Sequence, residues 1–415
     1  LIDKLPLLNA KEASQITLTG ECAQLIPGSS KAIGKKGVAY IDDFEGSETK
    51  YDLSQYYNWS LASTPQSLPE GSLFSDYRYN YNRAKLSWYT IDQSFYQNSS
   101  YTPSQVKQHK EWLQTNEARE IFEKEIFPNK QVPSGVPTNI YTLDLTYYPD
   151  ERGPYNFTTD LDYNGKLRNP EQKWAGIMRS ITSNDFEAAN YEYIEFWLMD
   201  PFVSDTVNNG GEVYLNLGDI SEDILKDGKM SFEQGLPLPG DSVQVSNTLW
   251  GRVPETTPIT QSFVNSIGMR KYQDIGLDGI NDNDEKQKFV DFLNQIRSVV
   301  DPQVYAKFEN DPAGDDFKHF RDPTYDETES DVVERYKSYN GTENNSPEAG
   351  SSSAAESNYS TPDMEDINQD NTLSDKENYY EYHISLRPGM RVGENYLVSE
   401  RKTKTNVLGK EVNAR

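Results

Sequence analysis

A chain of 415 residues with 40 Lys and Arg against 66 Asp and Glu carries a formal net charge of −26. That balance argues against nucleic acid and against anionic membrane surfaces, since phosphate binding needs clustered cations, whereas it suits divalent cations. Hydrophobic residues at 35% permit real cores, aromatics at 12% with 28 tyrosines favour β-rich architecture, and the single Cys22 allows no disulfide framework.

In chain order, residues 1–36 read as a lead-in with one strand around Ile16–Leu25, ending at a Pro-Gly turn. Cys22 sits there without a basic neighbour, which points to a buried structural thiol. A globular region is expected over 37–265. It holds a helical insertion near 102–127, with Pro103 at its start and "FPNK" as its stop. Strands with period-2 alternation follow. In "IYTLDLTYY", Tyr141, Leu143, Leu145 and Tyr147 share one face. "KWAGIMRSI" (173–181), "YEYIEFWLM" (191–199) and "EVYLNLG" (212–218) continue the pattern. Short strands between Gly, Pro and Asn turns predict a mainly β fold, a jelly-roll-like β-sandwich.

An acidic insertion spans 266–350 and contains a second helix near 285–300, whose stripe of Phe289, Phe292, Leu293, Ile296 and Val300 reads as core packing. A Ser- and Glu-rich linker covers 351–362. Residues 363–415 hold an acidic loop and closing strands, "YYEYHISL" (379–386) and "ENYLVSE" (394–400). No internal repeat is evident, and no apolar run reaches the roughly 18 residues of a membrane helix. The chain opens without Met or a signal peptide, as a piece of something longer would.

Residues 366–377, "DINQDNTLSDKE", carry the clearest chemistry. Twelve-residue calcium loops take ligands from positions 1, 3, 5, 7, 9 and 12, with a sharp turn at 6. Those positions are Asp366, Asn368, Asp370, Thr372 (by its carbonyl), Ser374 and Glu377, with Asn371 at the turn. The alternative is a solvated acidic loop. A second run, "DIGLDGINDNDE", places Asp274, Asp278, Asp282 and Glu285 at positions 1, 5, 9 and 12, with Gly279 at 6. Gly276 at position 3 makes this match partial, and an acidic cap on the following helix is the competing reading. Structural calcium is the cofactor both loops suggest. Catalysis finds no such pattern: His109, His319 and His383 adjoin no nucleophile motif, and no phosphate loop, H-E-x-x-H or C-x-x-C occurs. Exposed aromatics such as Trp59, Trp88 and Trp250 leave a glycan-binding module as the alternative function.

The words "YIDDFEGSETKYDLS", "YYPDERGPYNF", "KWAGIMRSITSNDFEAANYEYIEFWLMDPF", "NLGDISEDILKDG", "DPAGDDFKHF" and "PDMEDINQDNTLSDKENYYEYHISLRP" resemble the SprA/Sov family of the Bacteroidota type IX secretion system, tied also to gliding motility. The resemblance implies a very large outer-membrane polypeptide whose β-barrel conducts folded cargo. Its partners would be the PorV shuttle, a plug protein and secreted cargo proteins. This chain is then expected to be a non-catalytic domain inserted in that polypeptide and packed on its other segments; the resemblance leaves open whether it faces the cell exterior or the periplasm, and an acidic, calcium-pinned, Tyr-rich domain suits the exterior.

Overall fold

The computed structural model describes residues 50–414 apart from 98, 132–134, 136–137, 184, 190, 204–206, 349–359 and 408–409. The lead-in strand, Cys22 and most of the 351–362 linker lie outside the described residues. One compact unit comprises Asp52–Ala188 and Glu192–Arg415. A second comprises Leu1–Tyr51 and Ala189–Tyr191, within which Tyr51 meets Tyr191 edge to face at 6.3 Å.

Among the described residues the strands pair two by two, in six antiparallel ribbons rather than in the stacked sheets of a jelly roll. The two longest are Ala84–Tyr89 with Asp144–Arg152 and Gly211–Asp219 with Asn378–Leu386. Alternation produced the strands but could not assemble a sandwich, because the partners return only after long irregular insertions and the cores form from loop aromatics. The apolar face of 141–147 is the outer one: Leu145 and Tyr147 are exposed, while Thr146 turns in to bond the Tyr89 hydroxyl at 2.9 Å. Residues 191–199 form no strand; their apolar side chains from Tyr193 to Leu198 are exposed. The 394–400 segment is a turn, with Asn395 and Tyr396 at φ 48° and 63°.

Both expected helices are broken. The first becomes Ser104–Gln108, a 3-10 turn Lys110–Gln114 and Glu123–Ile126. His109, at φ −107° and ψ 61°, ends the first piece, and the offset lets Leu113 enter the core. The second splits into Asp282–Lys288 and Val290–Ile296 at Phe289 (φ −99°, ψ 26°). Its stripe is buried throughout, as the helical spacing required. The break is explained by packing: Phe289 stacks on Phe157 at 3.9 Å, a contact a straight helix would aim elsewhere.

Two aromatic cores result. The larger gathers Tyr155, Phe157, Trp250, Phe289, Phe292 and Ile296. The smaller centres on Tyr89, stacked on Tyr336 at 4.2 Å, with Phe95, Phe320 and Tyr339 around them. His319 belongs to this second cluster, stacked on Phe320 at 4.2 Å, and its Nδ1 accepts from the Arg321 N–H at 3.2 Å. Burial, aided by the Arg321 charge, lowers its pKa from 6.5 to about 4. A base whose pKa falls on folding favours the neutral folded form, so its stabilisation is complete above pH 6.5 and is lost as pH falls toward 4. His319→Asn, which keeps a short acceptor, should therefore flatten the loss of stability between those limits relative to the parent. Parallel slopes in urea titrations across that range would contradict the assignment.

Candidate metal centre

The structure separates the second acidic run into two places. Asp274 leaves the group: its Oδ2 accepts from the Ser346 N–H at 3.0 Å, beside a clamp in which Glu233 accepts from Ile275, Gly276 and Asp363. Asp278, Asp282 and Glu285 stay together, but in a different company from a twelve-residue loop. Among the described residues three carboxylate triplets converge, each with its ligand oxygens within 4.8 Å of one another. They are Asp278, Glu285 and Asp315; Asp282, Glu285 and Asp311; and Asp282, Asp316 and Glu343.

The local chain explains this convergence. Asn281, not an acid, caps the helix Asp282–Lys288 by accepting from the N–H groups of Asn283 and Asp284, which leaves Asp282 and Glu285 free to face inward. Single bridges place Ile275 and Asp316 on either side of Glu343. Asp311 Oδ1 accepts from Gly314 and Asp315, folding "DPAGDD" into a tight turn. Tyr155 donates its hydroxyl to Asp315 Oδ2 at 2.7 Å, accepts from the Leu277 N–H at 3.1 Å, and so ties the centre to the aromatic core.

Electrostatically the arrangement is lopsided. Burial, reinforced by neighbouring carboxylates, pushes Asp278, Glu285, Asp315 and Glu343 well above the usual carboxylate range. Burial and the Asp311 charge raise Asp282 to about 6 and Asp316 to about 8. Half-buried Lys85 and buried Arg152 lie near, and desolvation lowers both. Yet among the described residues none of these acids takes part in an ion pair. Seven carboxylates gathered without a partner cation are costly in a low-dielectric site.

Gly276 supplies the space. It sits at φ 82°, and a Cβ there would lie 2.3 Å from Asp315 Oδ2. Gly276→Ala should cost about 1–3 kcal/mol through the left-handed backbone and the displaced carboxylate. Thermal unfolding of that variant at parental values would show that Asp315 moves freely.

The 366–377 loop has another construction. Asp366 accepts from the N–H groups of Asp370 and Asn371 at 3.0 and 2.8 Å, and Asp370 Oδ1 accepts from Thr372 at 2.8 Å. Gln369 and Asn371 are left-handed at φ 61° and 63°. Asn368 and Thr372 are exposed, Ser374 bonds Glu222, and Glu377 reaches back to accept from the Ser221 N–H at 3.3 Å. Asp366, Asp370 and Glu377 do not make a carboxylate triplet.

A repeat that the sequence reading missed accounts for this loop. Residues 222–231, "EDILKDGKMS", and 365–374, "EDINQDNTLS", agree at Glu, Asp, Ile, Asp and Ser. Asp223 accepts from Asp227 and Gly228 just as Asp366 does from Asp370 and Asn371. Lys226 and Gly228 are left-handed at the matching positions, with φ 48° and 72°. The two loops clasp each other reciprocally. Glu222 accepts from Asn368 and Ser374, while Glu365 accepts from Ile224, Leu225 and Ser231. Their own N–H groups complete the exchange, Glu222 donating to the Ser374 carbonyl and Glu365 to that of Ser231.

Outside these acidic sites, His109 stacks on Trp112 and bonds Glu111, and His383 stacks on Tyr214 and bonds Glu212. Trp88 and Trp250 are buried and offer no face to a sugar, and Trp59 is partly covered, its Nε1 donating to the Leu53 carbonyl and the Arg179 guanidinium over its ring.

No curated protein matches the chain. Residues 291–413 match SprA_N, a family described as motility related/secretion protein. That span carries Asp311, Asp315, Asp316, Glu343 and the whole 366–377 loop, and it overlaps the sequence words that resemble the SprA/Sov family; over 291–413 the chain is similar to a family of motility and secretion proteins.

Proposed function

We propose that this chain is a structural, non-catalytic domain of the type IX secretion translocon in the outer membrane, where it shapes or caps the protein-conducting pore and docks partners. The family match over 291–413 carries the reading. The surface supports it. Tyr193, Ile194, Phe196, Trp197 and Leu198 are exposed in one run, and the long ribbon shows Tyr214, Tyr380 and Tyr382 to solvent. Apolar surface of that extent marks interaction sites, and other segments of the same large polypeptide are the partners it suits first. The PorV shuttle, a plug protein and secreted cargo are the further partners of this reading. Among the described residues no helix is long and apolar enough to cross a membrane. An acid-rich domain organised by calcium belongs on the calcium-replete outer face.

An antibody raised against this chain tests the proposal. A band far above 47.4 kDa in outer-membrane fractions, reactive on intact cells, is expected. A secreted band near 47.4 kDa would replace it with a free-standing surface module, glycan binding then being the first activity to assay.

A further inference from the structure

The geometry points to a polynuclear divalent-cation centre, of the calcium class, in which Asp278, Asp282, Glu285, Asp311, Asp315, Asp316 and Glu343 line three adjoining subsites. This goes beyond the reading of function above and does not depend on it. Four of the seven ligands, Asp311, Asp315, Asp316 and Glu343, belong to neither acidic loop that sequence spacing suggests.

Acidic clusters alone are ordinary on an acidic protein. Here a separate observation points to an ion. Asp278, Glu285 and Asp315 are each at most 1% exposed, and each spends one carboxylate oxygen on the protein. Asp278 Oδ1 accepts from the Ile280 N–H, Glu285 Oε2 from the Ala313 N–H, and Asp315 Oδ2 from Tyr155 and Thr342. The remaining oxygens, Asp278 Oδ2, Glu285 Oε1 and Asp315 Oδ1, are buried without any hydrogen-bond partner, as is Asp282 Oδ1. Buried polar atoms are nearly always satisfied, so four orphaned carboxylate oxygens in one place call for a bound group.

Oxygens bind calcium at about 2.3–2.6 Å, and the ligand oxygens of each triplet lie within 4.8 Å of one another, close enough to share one ion. Glu285 is shared by the first and second groups and Asp282 by the second and third, which makes them bridging ligands in a row. Three dications bring six positive charges against the seven carboxylates. With only oxygen donors and neither His nor Cys in the set, a hard cation is favoured over zinc. The ligands come from the 278–285 segment, the 311–316 turn and Glu343, so the ions would staple stretches otherwise held together by single bridges and a few hydrogen bonds.

The full 415-residue chain, stripped with chelator and dialysed against calcium alone, is measured by elemental analysis and by thermal unfolding. The double variant Asp282→Asn with Glu285→Gln, which removes both bridging charges at constant volume, is treated alike. The parent should bind about three more calcium ions per chain than the variant, one for each triplet. Its Tm should rise by on the order of 10 °C in millimolar calcium, with most of that rise absent in the variant. In chelator the order should invert, the variant melting above the parent, because an amide is held at a crowded, desolvated acidic site at less cost than a carboxyl group. That inversion guards against a variant that has merely failed to fold. Asp316→Asn, at the half-buried end of the row, should lose about one ion and keep the rest. The inference is overturned by an absent calcium shift in the parent, by equal calcium in parent and double variant, or by calcium lost from Asp366→Asn instead.

Discussion

Trp250→Ala should lower the unfolding free energy by about 3–5 kcal/mol, the range for removing a large aromatic from a close-packed core. Trp250 is fully buried, edge-on to Tyr77 at 5.2 Å and tilted against Phe157, which itself stacks on Phe289. Its loss leaves a cavity among rings that are pinned elsewhere. Tyr77 donates its hydroxyl to the Leu249 carbonyl, and Phe289 is fixed between two helices. Collapse is thereby restricted, which puts the cost toward the upper end. Trp250→Phe should cost much less, about 1–2 kcal/mol, because the ring contacts survive and the indole N–H, which has no hydrogen-bond partner, is removed. Urea unfolding followed by circular dichroism reads both. An alanine variant within about 1 kcal/mol of the parent would mean this cluster is not the core of the domain.

What the sequence revealed follows from the range of each signal. Helical spacing is local, so the burial of Phe289, Phe292, Leu293, Ile296 and Val300 was legible, while the break at Phe289 was not, since it depends on Phe157 far upstream. Alternation located the strands at 212–218 and 379–386 but not their pairing, and could not say that the apolar face of 141–147 points outward, which Thr146 settles by bonding Tyr89 on the other side. In 191–199 the alternating apolar residues form no strand at all among the described contacts. The metal centre was half visible. Asp278, Asp282 and Glu285 stood out as a run, whereas their partners in "DPAGDD" and at Glu343 are brought in only by the fold. The repeated Glu-Asp-Ile words could have been found by self-comparison; an offset of 143 residues, from 222 to 365, and a Leu where a ligand was sought, hid the second copy.

The reciprocal clasp of those two words gives the other large prediction. Glu365 Oε1 accepts from Ile224 and Leu225 at 2.8 and 3.0 Å, and Oε2 from Ser231 at 2.8 Å, with no exposure to solvent. Glu365→Leu leaves three buried N–H groups without acceptors. At about 1–3 kcal/mol for each orphaned donor the loss is roughly 3–6 kcal/mol, with some relief where a loop shifts toward water. Glu222 serves two donors from the opposite loop, so Glu222→Leu should cost less. Glu365→Gln should cost least, about 1–3 kcal/mol: its single carbonyl oxygen can still take Ile224 and Leu225, while its amide faces the Ser231 donor. The ranking is the test. Equal losses for leucine at 222 and 365, or a glutamine variant as damaged as the leucine one, would deny that hydrogen-bond count sets the strength of the clasp. The consequence reaches the family assignment. The matched span 291–413 contains Glu365 but none of its three donors, which lie at 224–231. Residues 291–413 expressed alone should therefore leave the 366–377 loop open to protease, and cleavage there should fall when residues 52–290 are restored.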